Sequence, residues 1–186
     1  MNKATTLEVL YGTLFRPNET LEHHATPRAA AVALLLVGVI SAFGLAAGKP
    51  DLLPFAFFVA LGWVVWVWLA SSAGLFLASR ALYRKGEFQP ISTAVGLAMT
   101  PWILVGPVQV LLKLGLPGKA LAAVCYLAIS VWWLRLLLIG LRRSTGLDGS
   151  QALWALVTAE LLAVAVPMGW LVLAELSTFL AIARFL

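Results

Sequence analysis

Apolar positions in this chain run unbroken for twenty residues at a time instead of recurring at intervals. Such runs occupy about 29–47, 54–78, 91–112 and 119–141, and the breaks between them are short: Gly48-Lys49-Pro50-Asp51, Arg84-Lys85-Gly86-Glu87 and Leu116-Pro117-Gly118. A helix of about 20 apolar residues crosses a hydrocarbon core of about 30 Å. Lipid offers no hydrogen-bond partners, so a spanning segment must be a helix or part of a closed barrel, and continuous runs lack the alternation of a barrel strand. The pattern therefore predicts an all-α integral membrane protein.

Arg142-Arg143 and the polar linker 144–150 end the fourth run, and a fifth apolar tract fills 151–186. As one helix this tract would measure about 54 Å, too long for a single crossing. A tilted span at about 152–176 with a projecting C-terminal turn is the preferred reading, and a split at Pro167-Met168-Gly169 is the alternative. The expectation is a bundle of five transmembrane helices over 29–186. Pro101 and Pro107 each remove a helical hydrogen bond from the third run, and Pro167 does so in the last, so kinks are expected at all three.

Residues 1–28 differ from the rest. Leu7, Leu10, Tyr11, Leu14 and Phe15 fall at spacings of three and four, which predicts an amphipathic helix lying on the membrane surface. Arg16-Pro17 breaks it, and Asn18 is the expected N-cap of a second short helix. A cleaved signal peptide is disfavoured, because Glu8, Glu19 and Glu22 precede the first run where a short basic segment belongs.

Composition agrees with the pattern: 62% of residues are hydrophobic and 11% charged, and the mean hydropathy is +0.97. The net charge of +5 does not point to nucleic acid, because the charges are dispersed between apolar runs and form no patch. Their placement predicts topology instead. Lys3, Arg16, Arg28, Arg80, Arg84, Lys85, Arg135, Arg142 and Arg143 fall on one side, and Lys49, Lys113, Lys119 and Arg184 on the other. The positive-inside rule then makes the N-terminus cytoplasmic and, with five spans, the C-terminus external. Trp132, Trp133 and Trp154 are expected near the cytoplasmic interface and Trp170 near the outer one, while Trp63, Trp66, Trp68 and Trp102 are expected in helix packing.

Candidate chemistry is sparse. Charged groups within spans are costly and mark a functional hypothesis, and Arg135 and Glu160 qualify, at depths differing by about 5 Å. They are expected either to pair, as a clasp between adjacent helices, or to line a polar pathway with Gln109; separate snorkelling of Arg135 is the bland alternative. Glu22-His23-His24 lacks a third metal ligand, since adjacent histidines diverge. Ser71 and Ser72 have no histidine to activate them, and the lone Cys125 excludes an intrachain disulfide. Neither an enzyme nor a cofactor is expected. Gly44-x-x-x-Gly48 and Gly74-x-x-x-Ala78 read as close-packing faces.

Three segments carry a resemblance to a known family. These are the leader Leu10-Tyr11-Gly12-Thr13-Leu14-Phe15-Arg16-Pro17-Asn18-Glu19-Thr20, the small-residue stretch Gly96-Leu97-Ala98-Met99-Thr100-Pro101, and the connection from Gly140 through Arg142-Arg143 to Gln151-Ala152. Together they resemble the Yip family, membrane proteins first described as partners of Ypt/Rab GTPases, in its bacterial branch. The aspartate-leucine-tyrosine-glycine motif of eukaryotic members is not found. The resemblance implies five spans, a cytoplasmic N-terminus and a place in the bacterial inner membrane. It also implies a scaffold or organising role in membrane traffic or shaping, with membrane lipid, other membrane proteins or further copies of the chain as partners. A small transporter or channel using Gln109, Arg135 and Glu160 is the alternative.

Overall fold

The computed structural model describes residues 5–46 and 49–162. Pro167 and Trp170 lie outside them, so the question of a split last tract does too. The described residues form helices and no strands: α1 (Thr6–Phe15), α2 (Pro17–His23), α3 (Pro27–Leu45), α4 (Leu53–Tyr83), α5 (Phe88–Ala98), α6 (Val105–Leu111) and α7 (Gly115–Thr145), then α8 over 149–162. Tight 3-10 turns occupy Pro50–Leu52, Thr100–Leu104 and Leu112–Leu114.

Local chemistry explains most of the helix ends. Thr5 accepts from the Glu8 amide at 3.3 Å while its own amide donates to the Glu8 carboxylate at 2.6 Å, a reciprocal cap that starts α1. The break to α2 falls at Arg16, which is the N-cap, with Pro17 inside the first turn. Asn18 is therefore not the cap; a proline whose missing N–H costs nothing at the first helical position starts the helix two residues earlier. Thr26 caps α3 through the Ala29 amide at 3.2 Å. Gly146, at φ +66, closes α7 in the left-handed region that glycine occupies without strain. Asp148 then starts α8, its carboxylate accepting from the Gln151 amide at 2.8 Å.

Three stretches are long and apolar enough to cross a membrane: Pro27–Leu45, Leu53–Tyr83 and Phe88–Thr145. The last, with 58 residues, would extend about 87 Å if straight. It is not straight. The helix loosens to 3-10 at Pro101, resumes as α6 with Pro107 in its first turn, and reverses at Leu112–Leu114 and Gly115, whose φ is +73. The reversal thus precedes Leu116-Pro117-Gly118, and Pro117 sits in the first turn of α7, where its missing N–H leaves no bond unmade. α7 returns alongside α5.

α5 is the centre of the bundle. Every residue from 91 to 101 is buried, and α5 packs against α3, α4 and α7 together. Small residues permit this. A Cβ on Gly96 would lie 2.8 Å from that of Ala30, and one on Gly140 would lie 2.9 Å from that of Ala94, so α3 and α7 approach α5 almost backbone to backbone. Gly74 of α4 faces Ala159 of α8 in the same way, at 3.5 Å. Trp68 ties α4 to α5 by donating its indole N–H to the Ser92 carbonyl at 2.8 Å.

The largest core joins Leu75 and Ala78 of α4, Ile91 and Val95 of α5, Leu136 and Leu141 of α7, and Ala152, Ala155 and Ala159 of α8. The opposite faces are apolar and open: Phe55, Phe58 and Leu77 on α4, and Leu121, Val124, Leu127 and Val131 on α7, are exposed. Trp68 and Trp102 pack inside, whereas Trp63 and Trp66 are exposed on α4. Helix packing therefore does not account for Trp66, whereas Trp63, though mostly exposed, lines a cavity of about 320 Å³ with Val37, Met99 and Trp102.

Candidate functional site

The described polar chemistry gathers at the two ends of the bundle. At the end where α3 begins, α1 and α2 fold onto the helices. Val9 and Leu10 of α1 and Leu21 of α2 are buried against Ala29, Ala30 and Ala33 of α3 and Leu97 of α5. Thr13 is fully buried and returns its hydroxyl to the Val9 carbonyl at 2.8 Å. The five leader positions named from spacing therefore divide. Leu10 points inward, Leu14 is half-buried, and Leu7, Tyr11 and Phe15 stand exposed in one row at four-residue spacing. Tyr11 and Phe15 are in ring contact, with centroids 4.7 Å apart.

One ion pair within 4 Å occurs among the described residues, and it clamps this assembly: Arg143 of α7 lies 2.7 Å from Glu22 of α2. Arg143 lines two clefts. One, of about 250 Å³, is shared with Asn18, Arg142 and Gly146; the other, of about 440 Å³, with Ala25, Gln89 and Thr93. Sequence reasoning missed this pair because its members are far apart in the chain. The only signal was Arg142-Arg143 at the end of an apolar run.

Arg135 and Glu160 are not brought together. Both are exposed and no ion pair or hydrogen bond joins them. On α7 the buried positions Leu136, Leu137, Gly140 and Leu141 face the core, and Arg135 lies on the far side beside Val131. On α8 the buried positions Ala152, Ala155, Leu156 and Ala159 leave Glu160 in the outward row with Leu153 and Val157. Equal depth along two helices does not make two side chains meet when both point outward.

Gln109 sits at the other end, where α3 finishes. Its side chain lies where a Cβ on Gly44 would be, and its carbonyl oxygen is buried without a hydrogen-bond partner. Beside it opens a groove of about 820 Å³, walled by Ile40, Phe43, Ile103, Val110 and Tyr126, with Lys113 among its lining residues. No group of three metal-ligating side chains occurs among the described residues.

With this geometry in view, a family model for the Yip1 domain matches residues 11–173, well over half of the chain. The chain belongs to the Yip1 domain family. The matched region takes in the Arg143–Glu22 clamp, the groove at Gln109 and both Arg135 and Glu160, whereas Leu7 precedes it. No curated protein and no solved structure matches this Yip1-domain chain.

Proposed function

We propose that this Yip1-domain protein organises membranes or membrane partners through α1 and α2, without catalysis. The observation that carries the reading is the division of α1 into two faces: Val9 and Leu10 anchor it to the bundle, and Leu7, Tyr11 and Phe15 are held outward. An anchored apolar face at the end of a membrane bundle is suited to enter the headgroup region or to meet a partner helix. Glu19, Glu22 and His23 occupy the adjoining exposed turns, consistent with a helix pair at an aqueous boundary. The clamp to Arg143 fixes the angle at which the face is presented.

The topology proposed with it has five crossings. α3 and α4 provide two, the doubled-back stretch of α5 to α7 provides two, and the tract beginning with α8 provides the last. Lys and Arg bias places α1 and α2 in the cytoplasm and the C-terminus outside. The setting proposed with this topology is a bacterial inner membrane, and the apolar helices support a multi-pass membrane protein. A transport pathway gains less support, because Arg135 and Glu160 face outward while Gln109 lies at the far end of the bundle.

Replacement of Leu7, Tyr11 and Phe15 together by glutamate spares the buried anchor and tests the reading. The variant is expected to keep its thermal stability in detergent while losing vesicle remodelling or co-purifying membrane partners. Unchanged remodelling and unchanged partners would refute the proposal.

A further inference from the structure

Arg135 on α7 and Glu160 on α8 are exposed, and neither forms an ion pair among the described residues. Their heights in the bundle agree. α7 ends at Thr145 and α8 begins at residue 149, so Arg135 stands ten residues and Glu160 eleven from the turn that joins the helices, about 15 Å and about 17 Å along them. The two helices share a core through Leu136, Leu141, Ala152 and Ala159, so α8 runs back beside α7. Each charge closes a row of exposed apolar positions. On α7 the row is Val124, Ala128, Val131 and Arg135; on α8 it is Leu153, Val157 and Glu160. Spacings of four and three keep each row on one helix face, as a seam between helices requires. α7 lies in a stretch apolar enough to cross the membrane, and α8 opens the last crossing of the topology proposed above, on which this placement rests. Both rows then face lipid, where hydrocarbon supplies no counter-ion and a lone charge is costly.

We propose that a second copy of this chain covers the two rows, in a two-fold dimer whose axis runs along the membrane normal. α7 of each copy lies against α8 of the other, and Arg135 pairs with the partner's Glu160. The chain is self-complementary in the way such an axis demands. Rotation about the normal preserves depth, so two opposite charges at one height in one copy meet their opposites in the other, and both pairs form at once. Ala128 lets the backbones approach beside the pair. Lipid chains cover the aliphatic positions but leave both charges unmatched. A partner of different sequence needs the same two charges at the same height in reverse order, which a second copy carries already.

The test uses full-length chains carrying two different fluorescent tags, reconstituted together in phosphatidylcholine vesicles and read by energy transfer between the tags. The unmodified chain is expected to associate with itself. Arg135→Glu alone and Glu160→Arg alone each set like charges across both contacts, and each is expected to weaken self-association at least about tenfold. Mixed together, these two variants are expected to associate about as well as the unmodified chain, because every contact then joins opposite charges. A pair formed within one chain is not restored by mixing. Arg135→Gln and Glu160→Gln add no charge; they are expected to weaken association in the same direction and keep the test decisive if a reversed charge is not inserted. A monomeric unmodified chain, self-association unchanged by these substitutions, or no association between the mixed variants overturns the proposal. Protection of Val157→Cys from a membrane-impermeant maleimide, in a Cys125→Ser background, reads the crossing of α8 by itself, so a monomer with a protected thiol refutes the dimer and leaves the topology standing. The glutamate variants of α1 are expected to dimerise normally, so that reading fails separately too.

Discussion

Arg143 and Glu22 lie 2.7 Å apart across the junction between α7 and α2, with about two-fifths of each side chain exposed (42% and 41%). A pair so accessible to water contributes little to global stability, on the order of 0.5 kcal/mol. Its effect is local, adding a polar tie at one end of a short helix that Thr20 and Leu21 otherwise hold by burial. In a double-mutant cycle, Arg143→Ala and Glu22→Gln are each expected to lower the unfolding temperature only slightly. Hydrogen exchange should quicken in α2 and stay unchanged in α5. Unchanged exchange in α2 would show that the apolar anchor alone fixes it.

Close packing around α5 gives a steeper response. Gly96→Ala and Gly140→Ala would each set a new methyl within 3.0 Å of another methyl carbon, on Ala30 and Ala94 respectively. Each is expected to destabilise by about 1–3 kcal/mol, because helix backbones must part to admit the group. Gly62→Ala is the control, since nothing lies within 4 Å of the added atom; it should be neutral or slightly stabilising. Thermal unfolding of the three variants in one detergent compares them directly.

Trp68→Phe keeps most of the packing and removes one donor. The indole N–H reaches the Ser92 carbonyl at 2.8 Å and is a direct polar tie between α4 and α5. A loss of about 1 kcal/mol is expected, measured by thermal unfolding against Trp66→Phe. Trp66 is exposed, and its replacement should change stability much less.

Acid should fray the start of α8. The Gln151 backbone amide, foremost, and the Ser150 hydroxyl hold the Asp148 carboxyl below its ordinary pKa of 3.8. A group whose folded pKa is depressed adds stability above its unfolded value and loses it as pH falls through the folded one. Protection from hydrogen exchange at residues 149–152, taken relative to the intrinsic rate at each pH, is therefore expected to fall below about pH 4. Asp148→Ala should show low protection at all pH values, with no acid dependence of that protection. An acid response that survives in this variant would assign it to another group.

Long apolar runs made the helices legible, and their breaks placed the ends of α3 and α4 within a few residues. Glycine and proline marked the turns, although the reversal before α7 falls at Gly115 and not at Pro117. What hydropathy does not carry is the facing of each helix. In lipid, outward and inward positions are both apolar, so Trp63 and Trp68 look alike in sequence although one is exposed and the other bonds to Ser92. The same ambiguity made Arg135 and Glu160 resemble partners. Leu10 shows it within the leader, where one apolar face of five residues separates into an anchor and an exposed row only once α3 is in place. The place of Gln109 was invisible because its side chain fills the space left by Gly44, a residue of another helix.

The enclosure of α5 sets an order of events in biogenesis. Ribosomal synthesis delivers α5 after α3 and α4 but before α7, so one flank of the helix emerges with no protein to cover it. That flank includes Ala94, which later meets Gly140, and the helix carries Ser92 and Thr93. A helix with these hydroxyls is held less firmly by lipid than its neighbours are. Cover for that flank waits for the turn at Gly115 and the arrival of α7, so a chain stalled at residue 112 should be a better substrate for membrane quality control than one stalled after residue 162, where α7 and α8 are both present.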